Sequence, residues 1–70
     1  MKKLTYEEFG NLMHQTIKSQ YRESWRMGQA LFNTTLVWYP EIAERLRATG
    51  ADCFHNDNKI IHFIDAILEK

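Results

Sequence analysis

Only one cysteine, Cys53, stands in the 70-residue chain. No internal disulfide can form, although small extracellular domains usually depend on one, and this fits a reducing cytoplasm. Proline also occurs once, at Pro40, and glycine three times, too few for a linker or a low-complexity segment. No apolar run reaches signal or membrane length, and the basic start Met1-Lys2-Lys3 is followed closely by Glu7 and Glu8. An excess of either charge is missing too, since nine basic residues meet nine acidic ones. A protein that lives by holding phosphates shows a basic surplus, and one that imitates DNA an acidic surplus. These absences predict one soluble domain over residues 1–70, located in the cytoplasm and making no membrane contact.

The spacings that carry site chemistry are equally scarce. Cys53-x-His55, with His62, His14, Asp52 and Asp57 in the same short chain, is the nearest approach to a metal set. Zinc sites are built from spacings such as Cys-x-x-Cys or His at i and i+4, and neither occurs. Cys53 with His55 or His62 lacks the third group that orients a catalytic base. Glu7 and Glu8 are adjacent and point to different faces of a helix, so they do not make a paired-carboxylate site. A chain this short has no room for a pocket of ordinary ligand size. The expectation is therefore no enzyme, no metal, no cofactor and no small-molecule ligand.

Nine aromatic residues are what the chain does have: two Trp, three Tyr and four Phe. Both tryptophans lie in the stretch from Trp25 to Tyr39. At 100° per residue, Trp25, Phe32 and Leu36 fall within about 40° of one another. Leu31, Trp38 and Met27 form a second apolar arc, so the segment is wider in its apolar face than a helix resting on one side of a core. It reads as a central helix over about 23–38 with neighbours on two sides. Gly28 costs about 1 kcal/mol relative to Ala inside a helix, which points to close approach of another backbone or a large ring there. Pro40 disfavours the α conformation at Tyr39 and ends the helix.

Thr5 followed three residues later by Glu8 is a capping box, with Leu4 and Phe9 in the positions of a hydrophobic staple. A first helix is predicted from Tyr6 to somewhere between Lys18 and Tyr21, burying Phe9, Leu12, Met13 and Ile17. Ser24 or Gln20 opens the second. Pro40 suits the first turn of a third helix, to about Ala48, with Ile42, Ala43 and Leu46 inward, Glu41 and Arg45 paired at i, i+4, and Gly50 just past its end. Residues 51–58 form a connection anchored by Phe54, and Asp57 or Asn58 caps a fourth helix, about Lys59 to Leu68, with Ile60, Ile61, Ile64, Ile67 and Leu68 inward and Phe63 at the edge. The expected fold is a small all-α four-helix domain.

Trp25-Arg26-x-Gly28-Gln29-Ala30-x-Phe32-Asn33, then Tyr39-Pro40-Glu41-Ile42-Ala43, then Asp52-x-Phe54-x-x-Asp57 resemble a group of short uncharacterised proteins encoded by bacteria and their phages, over roughly residues 22 to 68. That group often has proline where Cys53 and Ile61 stand here. The resemblance implies a bacterial or phage origin and no particular chemistry.

Two features are candidate binding surfaces. Arg22, Arg26, Gln29 and Asn33 recur at i, i+4, i+7 and i+11 and would stack into a polar ribbon on one helix. Either the ribbon pins the acidic loop of Asp52 and Asp57, or Arg26 and Asn33 meet another protein, since interface cores favour arginine and aromatics. Trp38 sits about 140° from Trp25 on the same wheel, so it is either covered by a neighbouring helix or forms a partner or homodimer surface with Leu31 and Met27. Arg26, Asn33 and Trp38 are thus the expected partner-binding residues of a non-enzymatic protein-interaction module, a phage or mobile-element accessory protein that binds a host protein or a second copy of itself. The alternative is a nucleic-acid-associated protein in which Lys18, Arg22 and Arg26 follow a phosphate backbone. Against it stand the neutral charge and the lack of a signal for a helix-turn-helix turn.

Overall fold

The computed structural model describes residues 3–69; the basic start at Met1 and Lys2 lies outside the described residues, as does Lys70. Four helices make an all-α fold: α1 (Tyr6–Glu23), α2 (Met27–Trp38), α3 (Pro40–Leu46) and α4 (Ile60–Ile67), the last preceded by a 3-10 turn, Asp57–Lys59. The capping box forms as the sequence predicts. Glu8 N donates to Thr5 Oγ1 at 3.2 Å, and Thr5 N donates to Glu8 Oε1 at 3.0 Å. Leu4, just ahead of the cap, is fully buried, and Phe9 packs half-buried against the same core.

Leu4 also does something no local pattern announces. Its N–H donates to Ile67 O and its carbonyl accepts from Glu69 N, both at 2.7 Å, making an isolated parallel bridge to Leu68. The chain entering α1 is thereby tied to the chain leaving α4.

α1 buries Leu12 and Thr16 and half-buries Phe9 and Met13, which is the i, i+3, i+4, i+7 stripe. Ile17, expected inside, is instead 54% exposed. Thr16 takes its place because its hydroxyl donates to Leu12 O at 2.8 Å, so burial leaves no polar atom unsatisfied.

α2 is shorter at its start than the expected 23–38. α1 continues to Glu23, Ser24 turns the chain through the left-handed region at φ 59, and Arg26 is the N-cap of α2. Trp25 therefore sits half-buried in a three-residue turn and not on the helix. The central position of α2 is as expected. It packs against α1, α3 and the 3-10 turn, and Phe63 of α4 meets Phe32 with ring centroids 5.9 Å apart. Gly28, Ala30, Leu31, Phe32, Thr34 and Thr35 are all buried, an arc of about 200° at 100° per residue. Tyr39 makes the corner: its N–H closes α2 on Thr35 O, and its carbonyl accepts from Ile42 N and Ala43 N at the start of α3.

α3 buries Ile42, Ala43 and Leu46 as expected but stops at Leu46. The residue in the left-handed region after it is Ala48, at φ 61, and not Gly50. The charged pair on this helix is Glu44 with Arg47 at 2.7 Å, not Glu41 with Arg45. In α4 the inward residues are Phe63 and Ile67, both fully buried, with Ile60 and Ile64 half-buried; Ile61 faces out. The buried face is the one that sets Phe63 against Phe32, and the helix ends at Ile67, with Leu68 leaving in extended conformation, φ −89 and ψ 129, to meet Leu4. Neither Asp57 nor Asn58 caps α4, whose N-cap Lys59 makes no side-chain cap bond; Asn56 caps the 3-10 turn ahead of it, its side chain accepting from Asn58 N at 2.9 Å.

Leu4→Ala is expected to cost about 2–5 kcal/mol, the range for truncating a fully buried leucine, read as a lower urea midpoint at unchanged m-value.

Candidate functional site

The two ends of α2 hold the residues that the sequence singles out, and they are put to different uses. At the N-terminal end the helix has no local side-chain cap and no acidic residue in its first turn. The first N–H groups of a helix have no partner within it and carry partial positive charge. Asp57 supplies what is missing: its Oδ1 accepts from Gly28 N and from Arg26 Nη1, each at 3.0 Å. Arg26 Nη2 reaches past it to Phe54 O at 2.6 Å. Of the two expected roles for the ribbon, pinning of the acidic loop is the one Arg26 performs; Gln29 and Asn33 do not join it.

Gly28 is the hinge of this contact. A Cβ there would overlap the carbonyl oxygen of Cys53 and stand 2.7 Å from Asp57 Oδ1, so the close backbone approach expected at Gly28 is present. The Cys53 thiol donates to Gly28 O at 3.3 Å and is completely buried. Burial pushes it up from its ordinary 9.0 to about 12, and the nearby Asp52 and Asp57 carboxylates push the same way. A thiol held protonated is a poor nucleophile and a poor metal ligand.

Asp52, expected to receive the ribbon, serves the loop itself. Its Oδ2 accepts from Ala48 N at 2.6 Å and its Oδ1 from Phe54 N at 2.9 Å. The Phe54 ring then stands edge-on to Phe32 at 5.8 Å, and Arg47, paired with Glu44, lies over the Phe32 ring at 5.4 Å. His55 is exposed against the Phe54 ring. Among the described residues no group of three His, Cys, Asp or Glu is placed to hold a metal ion, and no helix is long and apolar enough to cross a membrane.

At the other end of α2 the surface is apolar. Trp38 is 58% exposed and Val37 78%. Trp38 stands seven residues beyond Leu31 and four beyond Thr34, both buried, so it continues their line past the point where the helix is covered. Asn33, Trp38, Val37, Trp25 and Ser19 border one shallow depression between α1 and α2. A second one, of about 250 Å³, lies on the other side of Trp38 against Asn11, His14 and Gln15. Thr34 Oγ1, beneath the first depression, is buried with no hydrogen-bond partner among the described residues. Asn33 and Trp38 are thus brought together, and Arg26 is held apart in the loop contact. Leu31, expected beside Trp38 on an outer face, is fully buried. Val37 went unnoticed in the sequence; the available signal was an apolar residue on the polar side of the helical wheel, next to Trp38.

The basic line Lys18, Arg22 and Arg26 does not exist as a line. Lys18 and Arg22 are exposed on α1, with Arg22 Nε on Glu23 Oε2 at 3.1 Å, while the turn at Ser24 carries Arg26 off the helix. That turn is of helix-turn-helix length, contrary to expectation, yet α2 behind it is mostly buried and contains no basic residue. No protein-family model, curated protein or solved structure matches the chain.

The buried thiol fixes a pH dependence. Below pH 9 it is protonated in both folded and unfolded chains and contributes no slope. Between its ordinary 9.0 and about 12 the unfolded chain ionises and the folded one does not, so stability falls as pH rises. Wild type is expected to lose stability faster than Cys53→Ala across that window, measured as urea midpoints at matched pH.

Proposed function

We propose that the protein is a small non-catalytic interaction module that binds another protein through the end of α2, with Trp38 and Val37 as apolar anchors and Asn33 as the polar contact beside them. The observation that carries this reading is the exposure of Trp38 beside Val37. Isolated exposed apolar residues are ordinary, but a tryptophan and a valine side by side over shallow depressions are what a partner surface uses. Interface hot spots are rich in tryptophan. Arg26, grouped with Asn33 and Trp38 by sequence spacing, is assigned here to the fold. On this reading the protein is a cytoplasmic accessory protein of a phage or mobile element, and its partner is a host protein.

Replacing Trp38 by Ala tests the assignment. The variant is expected to keep its helical circular dichroism and to lose no more than about 1 kcal/mol, as for a surface position. Co-purification with the host partner, and its affinity by calorimetry, should drop at least tenfold. A loss of about 3–5 kcal/mol, the cost for a buried tryptophan, would move the ring into the core, and unchanged affinity would move the surface elsewhere.

A further inference from the structure

Three of the six large apolar side chains exposed among the described residues lie on α1: Tyr6 at 72%, Ile17 at 54% and Tyr21 at 91%. At 100° per residue these three and Gly10 share an arc of about 60°. The intervals from 6 to 10, 10 to 17 and 17 to 21 are four, seven and four residues, which keeps the four positions on one side of the helix. Gln15 and Ser19, which border Trp38, lie roughly 150–170° further round the helix. The stripe shares no residue with the two depressions beside Trp38, although His14, which borders one of them, lies only about 20° round the helix from Tyr21.

We infer that this stripe is the interface for a second copy of the chain, two α1 helices packing antiparallel about a two-fold axis near residues 13 and 14. The stripe is its own complement. Turned end for end, it sets Tyr6 against the partner's Tyr21 and Ile17 against the partner's Gly10. Gly10 has open space where a side chain would stand, with nothing within 4 Å, so no side chain of its own keeps the partner's isoleucine from the helix backbone. The flanking charge is complementary in the same arrangement. Glu7 and Lys18 lie on the same flank of the stripe, about 20° apart on the wheel, and neither belongs to an ion pair among the described residues. In an antiparallel pair with this symmetry, like flanks meet, and Glu7 of each copy faces Lys18 of the other, twice per dimer. In a parallel pair unlike flanks meet, and this pairing of Glu7 with Lys18 is lost. One helix from each copy buries less than a standard interface of about 800 Å² per partner, so the dimer is weak and forms in the micromolar range or above. It leaves both Trp38 surfaces outward, giving a bivalent module.

Sedimentation equilibrium from about 10 μM to 1 mM at low salt tests this on the full chain. Wild type should show a concentration-dependent dimer that weakens with added salt. Ile17→Ser with Tyr21→Ser, both at exposed positions, should be monomeric with unchanged circular dichroism. Lys18→Glu should weaken the dimer threefold or more by setting acid against acid twice, and adding Glu7→Lys should restore it. A monomer at every concentration, a dimer that survives loss of Ile17 and Tyr21, or a Lys18→Glu defect that Glu7→Lys does not repair would overturn the proposal. A wild-type dimer abolished by Trp38→Ala would overturn it as well and give self-association to the other surface.

Discussion

The N-terminus of α2 has no cap of its own, and the fold supplies one from 29 residues away in the chain. A single carboxylate oxygen of Asp57 receives a helix N–H and a guanidinium N–H. Arg26 and Asp57 are each about half exposed, so their ion pair alone is worth less than about 1 kcal/mol. The capping bond adds on the order of 1 kcal/mol, because it satisfies a donor that would otherwise be orphaned. More depends on this contact than its energy suggests. It holds the long connection between α3 and α4 against the central helix, and with it Phe54 against Phe32 and the buried Cys53 against the Gly28 carbonyl.

The same constraint sorts the polar and aromatic residues by role. Arg26 is committed on two sides, to Asp57 and to the Phe54 carbonyl, and has little left to offer a partner. Asp52 is spent in closing its own loop. What remains for recognition lies on the α1 and α2 surfaces away from the loop, where apolar side chains stand in water.

Where local rules govern, the sequence is readable. Thr5 and Glu8 announce the start of α1, Pro40 the corner after Tyr39, and Gly28 the close approach of another backbone, because each is a stereochemical or hydrogen-bonding constraint within a few residues. The link from Arg26 to the acidic loop follows from unlike charges that have to be satisfied. Failure sets in where an ordinary residue adopts an unusual conformation. Ser24 and Ala48 occupy the left-handed region, where glycine or asparagine would have given a signal, and the start of α2 is misplaced for that reason. The polar ribbon and the basic line both assumed an unbroken helix through Ser24, and both dissolve at that residue. Non-local pairing is the other source of error. The bridge between Leu4 and Leu68 leaves no trace in hydropathy, yet it takes up the chain where α4 ends. Buried Thr16 and exposed Ile17 show the same limit, since a threonine that returns its hydroxyl to the preceding turn packs like an apolar residue.

The claim that the loop is seated on the backbone of α2 at Gly28 is tested most directly by the sign of one stability change. Within a helix, Gly→Ala ordinarily stabilises by up to about 1 kcal/mol. Here the added methyl meets the Cys53 carbonyl and the Asp57 carboxylate, and a backbone carbonyl cannot withdraw without unseating the loop. Urea unfolding of Gly28→Ala is therefore predicted to show a loss of about 1–3 kcal/mol, the usual cost of overpacking a close contact. A variant as stable as wild type, or more stable, would contradict the account.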